Sequence, residues 1–235
     1  MIAFMGTNLE QPASDVAATP PAHTYAWIPV RRLADRHRKR IARHLLALDE
    51  GDRYLRFGYA VSDAQIKAYV ASLDFDHDEV FGIFNRRLQL IAMAHLAMPK
   101  RPEGSTDAAW AEFGVSVLRK GRGRGVGKRL FDLAALHARN RGIDTLYIQA
   151  LSENAAMLKI ARDAGAQVVR EGPESQALLK LPPDNLATHM DEAVELQAAE
   201  LDYQLKRQAR RVDQFLRRLL AFRANIGKLR NTRSQ

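Results

Sequence analysis

The chain of 235 residues, 46% apolar with 2 Trp, 6 Tyr and 9 Phe, carries enough apolar side chain for one core of ordinary domain size plus an extension. It has no cysteine, which excludes disulfides, thiolate zinc sites and cysteine nucleophiles. The net charge of +9 belongs to one end: of 36 basic and 27 acidic residues, 10 and one fall in 203–235, which leaves 26 of each in the rest of the chain.

Residues 1–24 hold Pro12, Pro20 and Pro21 among Ala, Thr and Ser without periodicity and read as a disordered leader. Met1–Gly6 is too short for the apolar region of a signal peptide, and no window approaches the ~20 apolar residues of a membrane span, so a cytoplasmic protein is expected. Tyr25–Val30 predicts a short strand that leads into a helix whose inward face is Leu33, His37, Ile41, Leu45 and Leu48. Arg36, Arg38, Lys39, Arg40 and Arg43 fall on its other face, a cluster more often solvated than bound. Ser62 and Gln65 form a capping box for a second helix that buries Ile66 and Val70 and ends near Leu73.

Val80–Phe84 and Leu88–Met98 predict an antiparallel hairpin joined through Asn85-Arg86-Arg87. A polar loop, Pro99–Asp107, leads to a strand at Trp110–Leu118, a glycine-rich turn, and a helix at Val126–Arg141. A strand at Thr145–Ala150, a helix at Asn154–Ala164 and strands at Gln167–Arg170 and Gln176–Leu181 complete the pattern. This order predicts an α/β domain over 25–183, a mixed central sheet flanked by helices on both faces, with its boundary at Pro182-Pro183.

Residues 184–235 form a basic helical extension, with a long helix predicted from Asp184 to Asn225. Val194, Leu201, Phe215, Phe222 and Leu229 alternate with Ala198, Leu205, Val212, Leu219 and Ile226 in a heptad-like seam that Gln208 interrupts. The seam has to pack on the chain's own domain or on the same helix of a second copy. A helix of that length runs ~63 Å and overreaches one small domain, which favours a coiled-coil homodimer. The clustered cations would lie outward, to solvate the helix or to meet nucleic acid, an acidic protein or anionic lipid.

The sharpest local signal is Lys120-Gly121-Arg122-Gly123-Arg124-Gly125-Val126-Gly127-Lys128, set between an apolar strand and an amphipathic helix. Glycines let backbone N–H groups approach an anion, and the positive end of the following helix adds to them, which makes a site for a pyrophosphate. Arg122, Arg124 and Lys128 bring positive charge to it. A dinucleotide G-x-G-x-x-G fails from Gly121, Gly123 and Gly125 alike, and a P-loop fails because Arg129 follows Lys128. The spacing that fits is R-x-x-G-x-G, as Arg122, Gly125 and Gly127; the alternative is an ordinary glycine turn in an unliganded fold.

On this pattern the chain resembles the GNAT superfamily of N-acetyltransferases over roughly 25–181. Asp52-Arg53-Tyr54-Leu55-Arg56-Phe57 and Ala111-Glu112-Phe113-Gly114-Val115-Ser116-Val117 resemble the acetyltransferase domain of bacterial protein-lysine acetyltransferases. The resemblance implies acetyl-CoA as co-substrate. Val115 and Val117 would offer backbone groups to its pantetheine arm, the N–H groups of Arg122, Gly123, Arg124, Gly125, Val126, Gly127 and Lys128 would hold its pyrophosphate, and Asn154, also a good helix cap, would bond the arm. It also implies that a backbone N–H near Val117 meets the oxyanion.

A lysine-type amine has a pKa of ~10.4 and arrives protonated, so a base is needed. Glu112 is the candidate by its strand and by the resemblance; its other reading is an exposed strand carboxylate. Related enzymes protonate the leaving thiolate with a tyrosine, and here that position is Ala161. A thiol of pKa ~8.5 can leave as thiolate, with water or Ser152 supplying the proton. His95 reads as a packing histidine. The acceptor is a primary amine, on a small molecule or a protein lysine; the competing reading is a sensor that binds acetyl-CoA without turnover. No metal site is expected.

Overall fold

The computed structural model describes residues 27–100 and 108–231, with side chains as far as Arg211 and those of Asp213 and Gln214. The chain runs through β1 (Arg31–Leu33), α1 (Arg38–Leu46), α2 (Glu50–Phe57), α3 (Asp63–Ser72), β2 (Glu79–Phe84), β3 (Leu90–Ala97) and β4 (Trp110–Val117). It continues through α4 (Val126–Asn140), β5 (Thr145–Leu151), α5 (Ala155–Asp163), β6 (Gln167–Glu171), β7 (Glu174–Lys180) and α6 (Leu186–Asn231). The expected leader and most of the Pro99–Asp107 loop lie outside the described residues.

The strands make one sheet in the order β1-β2-β3-β4-β5-β7-β6. Every neighbouring pair is antiparallel except β4 and β5, which run parallel. This is the mixed sheet flanked by helices that the element order predicts. One face is covered by α1 and α3, whose Ile41, Leu45, Ile66 and Val70 pack with Leu33, Val80 and Met93. The other is covered by α4 and α5, whose Leu130, Phe131 and Leu158 pack with Phe81, Phe113 and Ile148. Strand β2 is buried along its whole length, as an inner strand covered on both faces should be.

The residues predicted to face inward from the first helix, Leu33, His37, Ile41, Leu45 and Leu48, are all buried, but only Ile41 and Leu45 lie in α1; Leu33 ends β1, His37 precedes the helix and Leu48 follows it. The capping box also holds, since Ser62 Oγ accepts from Gln65 N and Gln65 Oε1 accepts from Ser62 N at 2.9 Å. The strand expected at Tyr25–Val30 is displaced. Trp27–Val30 forms no strand, and Ile28 and Val30 pack into the core on the α4 side while Arg31–Leu33 makes the ladder with β2. Hydrophobicity there marks packing rather than pairing. Helix α2 was not foreseen either. Its cues are terminal: Asp49 Oδ1 accepts from Asp52 N at 2.8 Å, and Gly58 ends it at φ 80°.

Helix α6 is a single helix of 46 residues, ~69 Å long, and its expected seam is not what docks it. Val194, Leu201 and Leu205 are exposed, as are Leu186 and Met190. The docked face is offset and largely polar. Glu192 bonds His137 and takes 2.6 Å from Asn140 Nδ2; Arg129 pairs with Glu195 at 2.8 Å and Arg31 with Glu200 at 2.7 Å. Burial pulls His137 down, but Glu192 and Glu79 outweigh it and raise its pKa. Ala199 and Tyr203 are buried, and the Arg31 guanidinium stacks 3.9 Å over the Tyr203 ring. Most of the predicted seam beyond Arg211 lies outside the described side chains. No described helix is long and apolar enough to cross a membrane, and no described cluster could hold a metal.

Candidate active site

Strands β4 and β5 are paired only where Trp110–Glu112 meets Thr145–Tyr147; beyond that point they part, while β4 stays paired with β3 as far as Val117. A strand bonded along one edge turns half of its N–H and C=O groups to the other. From Phe113 to Val117 those groups face the opening. A cavity of about 330 Å³ occupies it, lined by Glu112, Gly114, Val115, Gln149, Asn154 and Met157 and, on its outer side, by Arg56, Phe57, Tyr59, Tyr69 and Glu174.

Past β4, a 3-10 turn at Arg119–Gly121 delivers the chain to the glycines. Gly123 and Gly125 hold φ of 71° and 70°, a region that favours glycine. A Cβ on Gly123 would meet nothing within 4 Å, so conformation and not space requires glycine there. A Cβ on Gly127 would lie 3.2 Å from Ile160 Cδ1, so that glycine lets α4 approach α5. The N–H groups of Val126, Gly127 and Lys128 precede the first intrahelical donor, Arg129, whose N–H reaches Gly125 O at 2.9 Å. Two left-handed glycines followed by free helical N–H groups form a cradle that fits a pyrophosphate at the end of a strand whose open edge fits an extended arm.

Of the three cations expected to surround the anion, two are engaged. Arg122 pairs with Asp52 of α2 and its Nε reaches Val117 O at 3.2 Å, so it braces the turn; Lys128 pairs with Asp132 at 2.8 Å. Arg124 is exposed and, among the described residues, has no carboxylate partner. Asn154 caps α5, its Oδ1 accepting from Met157 N at 3.2 Å, and it also lines the cavity, so the two readings of that residue coexist. Ser152 does not line it: its Oγ donates to backbone oxygens of the β6–β7 turn, Gly172 at 3.0 Å and Glu174 at 2.9 Å. Ala161 is fully buried in the core and brings no hydroxyl to the cavity.

Glu112 is exposed at the point where the strands part. Alternation puts Gly114 and Ser116 on its face, and the Arg56 guanidinium fills the space over Gly114, where a Cβ would come within 2.6 Å of it. Beside it runs a chain that sequence reading missed. Tyr69 OH accepts from Arg56 NH2 at 3.1 Å and donates to His95 Nδ1 at 2.8 Å, while His95 Nε2 donates to Asp78 at 3.0 Å. Burial keeps His95 below its ordinary pKa despite Asp78, which fits the neutral tautomer this chain requires. Burial also raises the Tyr69 phenol. The signal available was Tyr69 itself, a half-apolar ring with a hydroxyl beside Val70 on the second helix, but a strand histidine shows its partner only once that helix is placed over β3.

Two solved structures share this fold. The GNAT domain of the Streptomyces lividans protein PAT aligns with a TM-score of 0.53 at 24% identity, over 65% of this chain and 89% of that one. An N-acetyltransferase from Staphylococcus aureus aligns with a TM-score of 0.51 at 13% identity, over 67% of this chain and 100% of that one. No curated protein matches the sequence at a significant level. The profile of the acetyltransferase (GNAT) family matches residues 43–166, which span the helices over Glu112, the parted strands and the glycine cradle. With more than half of its length matched, this chain belongs to the GNAT family of acetyltransferases, which use acetyl-CoA as acetyl donor.

Proposed function

We propose that the chain acetylates the amine of a protein lysine, with Glu112 as the base that takes the ammonium proton. One observation carries this: an exposed carboxylate stands where β4 and β5 part, in the lining of a cavity that also holds Phe57, Tyr59, Tyr69 and a second carboxylate, Glu174. Aromatic faces and carboxylates suit a cationic amine carried on an apolar stem. Acetyl-CoA supplies the activated acetyl group. Val115 and Val117 offer the arm their backbone, the turn 122–128 holds the pyrophosphate with Arg124 as the uncommitted cation, and Asn154 Nδ2, now 3.4 Å from Leu55 O, is the side chain able to turn to the arm.

The short stretches 52–57 and 111–117 support the protein-lysine subfamily. With Ala161 in the core, the thiolate takes its proton from water. The measurement is acetyl-CoA turnover against lysine peptides, whole proteins and a panel of small amines. Release of free thiol with small amines alone would refute the lysine reading, and binding without any release would make the chain a sensor.

On the same reading, 25–183 is the enzyme and 184–235 an extension that pairs two copies. The exposed stripe Leu186, Met190, Val194, Leu201 and Leu205 supports this, since the domain leaves it uncovered. Removing the extension is a poor test because Tyr203 belongs to the core. Light scattering of Leu201→Glu with Leu205→Glu beside the parent chain is better, and a parent chain that stays monomeric at high concentration rules the dimer out.

A further inference from the structure

Basic residues from four separate stretches of sequence meet in one groove. Arg40 and Arg43 come from α1, Arg86 and Arg87 from the β2–β3 turn, Lys120 from the turn after β4, and Arg210 from α6, around a cavity of about 1170 Å³. The groove shares no lining residue with the cavity at the parted strands. Lys206 also lines it but pairs with Asp202 at 2.6 Å, and Asp213 is its lining carboxylate.

Several arginines outside the groove are neutralised by carboxylates: Arg31 with Glu200, Arg53 with Asp63, Arg119 with Asp49 and Arg129 with Glu195 all lie within 2.8 Å. In the groove four of the six cations are held by neutral partners instead, while Arg86 and Arg87 are exposed on their turn. Arg40 bonds Tyr203 OH and lies 5.4 Å over the Phe84 ring; Arg210 donates to Arg87 O at 2.8 Å, Arg43 to Lys39 O at 3.2 Å and Lys120 to Gln89 Oε1 at 3.0 Å. Among the described residues, none of the six has a carboxylate within ion-pair distance. Six like charges fixed around a concavity repel one another and focus a positive potential into it, an arrangement that an anion relieves.

The type of anion follows from the donors and from what the walls lack. Five of the six cations are arginines, whose planar forks match phosphate oxygens two at a time. Among the described residues no Phe, Tyr or Trp lines the groove, so these walls offer no large ring on which a nucleobase could stack. The space is concave and suits a ligand that inserts. We propose that this groove binds a small anion carrying several phosphoryl groups, an oligophosphate, separately from acetyl-CoA. This inference stands on the groove alone and holds whichever amine is acetylated.

The test uses the full chain and inorganic tripolyphosphate, titrated by calorimetry at low and high salt, with acetyl-CoA and single-stranded and duplex RNA as further arms. Saturable one-to-one binding of tripolyphosphate that weakens with salt and persists with acetyl-CoA bound is expected. Arg86→Glu with Arg87→Glu, on an exposed turn, should weaken it about tenfold or more, and Arg43→Glu, on the opposite wall, should weaken it as well. Both variants should keep the parent affinity for acetyl-CoA, which shows that they fold. The proposal is overturned by absent binding, by stoichiometric displacement with acetyl-CoA, by undiminished binding in both variants, or by binding of RNA without tripolyphosphate.

Discussion

The two concavities of this molecule are built by different means. The cleft between β4 and β5 is a feature of the backbone: strands that pair for three residues and then part, and two glycines at φ near 70° before a helix. The basic groove, at about 1170 Å³ against 330 Å³, is a feature of side chains from four elements that share nothing but proximity. A backbone site is written as a contiguous motif because consecutive residues shape it. A side-chain site is written nowhere in one place.

The largest expected effect breaks the backbone site. In Gly125→Glu a residue with a Cβ must take φ of 70° at the cap of α4, and a carboxylate is set where an anion should bind. Acetyl-CoA affinity should fall by more than about 100-fold, at the level of several lost charge-assisted hydrogen bonds, while tripolyphosphate binding in the groove stays at the parent level. Calorimetry with both ligands reads the two sites independently, and equal losses at both would show that they are one site.

Next in size is Glu112→Gln, which keeps the shape of the cleft and removes the carboxylate proposed as its base. Turnover should drop by about 100-fold with the affinity for acetyl-CoA unchanged, the ordinary contribution of a positioned base. A variant whose turnover and pH profile match the parent would transfer the role elsewhere, and the Tyr69–His95–Asp78 chain is the group of proton carriers nearest at hand.

His44 is the side chain that belongs to both regions. It lines the groove, and its Nε2 lies 2.8 Å from Ser116 Oγ on the strand that carries Glu112. Burial holds its pKa down to about 4. Between about 4 and the ordinary ~6.5 the unfolded chain therefore binds more protons than the folded one, so stability is complete above ~6.5 and declines as pH falls toward 4. The loss is on the order of 3 kcal/mol. His37, also held at about 4 by burial, adds a loss of the same sign. Chemical denaturation across this range should show the decline, and His44→Gln should flatten part of it.

What the sequence made legible follows the same division. The cradle at 122–128, the α4 helix and the Ser62 cap were all readable because each is local. The ion pair of Arg122 was not readable because Asp52, its partner, lies on a helix with no long apolar period. The face by which α6 docks was hidden for a related reason. A heptad reading ranks Val194, Leu201 and Leu205 first, whereas the docked face is held by Glu192, Glu195 and Glu200, charges whose partners Arg31, Arg129 and His137 are distant in sequence. Leu196, Ala199 and Tyr203 do recur at helical spacing on that face, but they are outnumbered by the exposed seam and give a weaker period.

The smallest expected effect asks how far the cleft itself is a side-chain site. On the proposed reading its donor side is backbone, but its acceptor side rests on Arg56, which lies over Phe57 and Tyr69 and bonds the Tyr69 hydroxyl at 3.1 Å. Gly114 makes room for that guanidinium, because a Cβ there would stand 2.6 Å from Arg56 Cζ and both terminal nitrogens. The clash falls on the end of a flexible side chain, so Gly114→Ala should leave the sheet intact and displace Arg56 instead. With Arg56 moved, the phenol loses one of its two partners and the outer wall of the cavity changes shape, while the glycine cradle is untouched. The acceptor KM should rise several-fold, about 1 kcal/mol for one lost charge-assisted bond, with acetyl-CoA affinity at the parent level. Arg56→Lys should reproduce part of that rise, since an ammonium cannot both stack on Phe57 and reach Tyr69 as a planar fork does. A rise in the acetyl-CoA dissociation constant without any change in acceptor KM would place Arg56 on the donor side and return the whole cleft to the backbone.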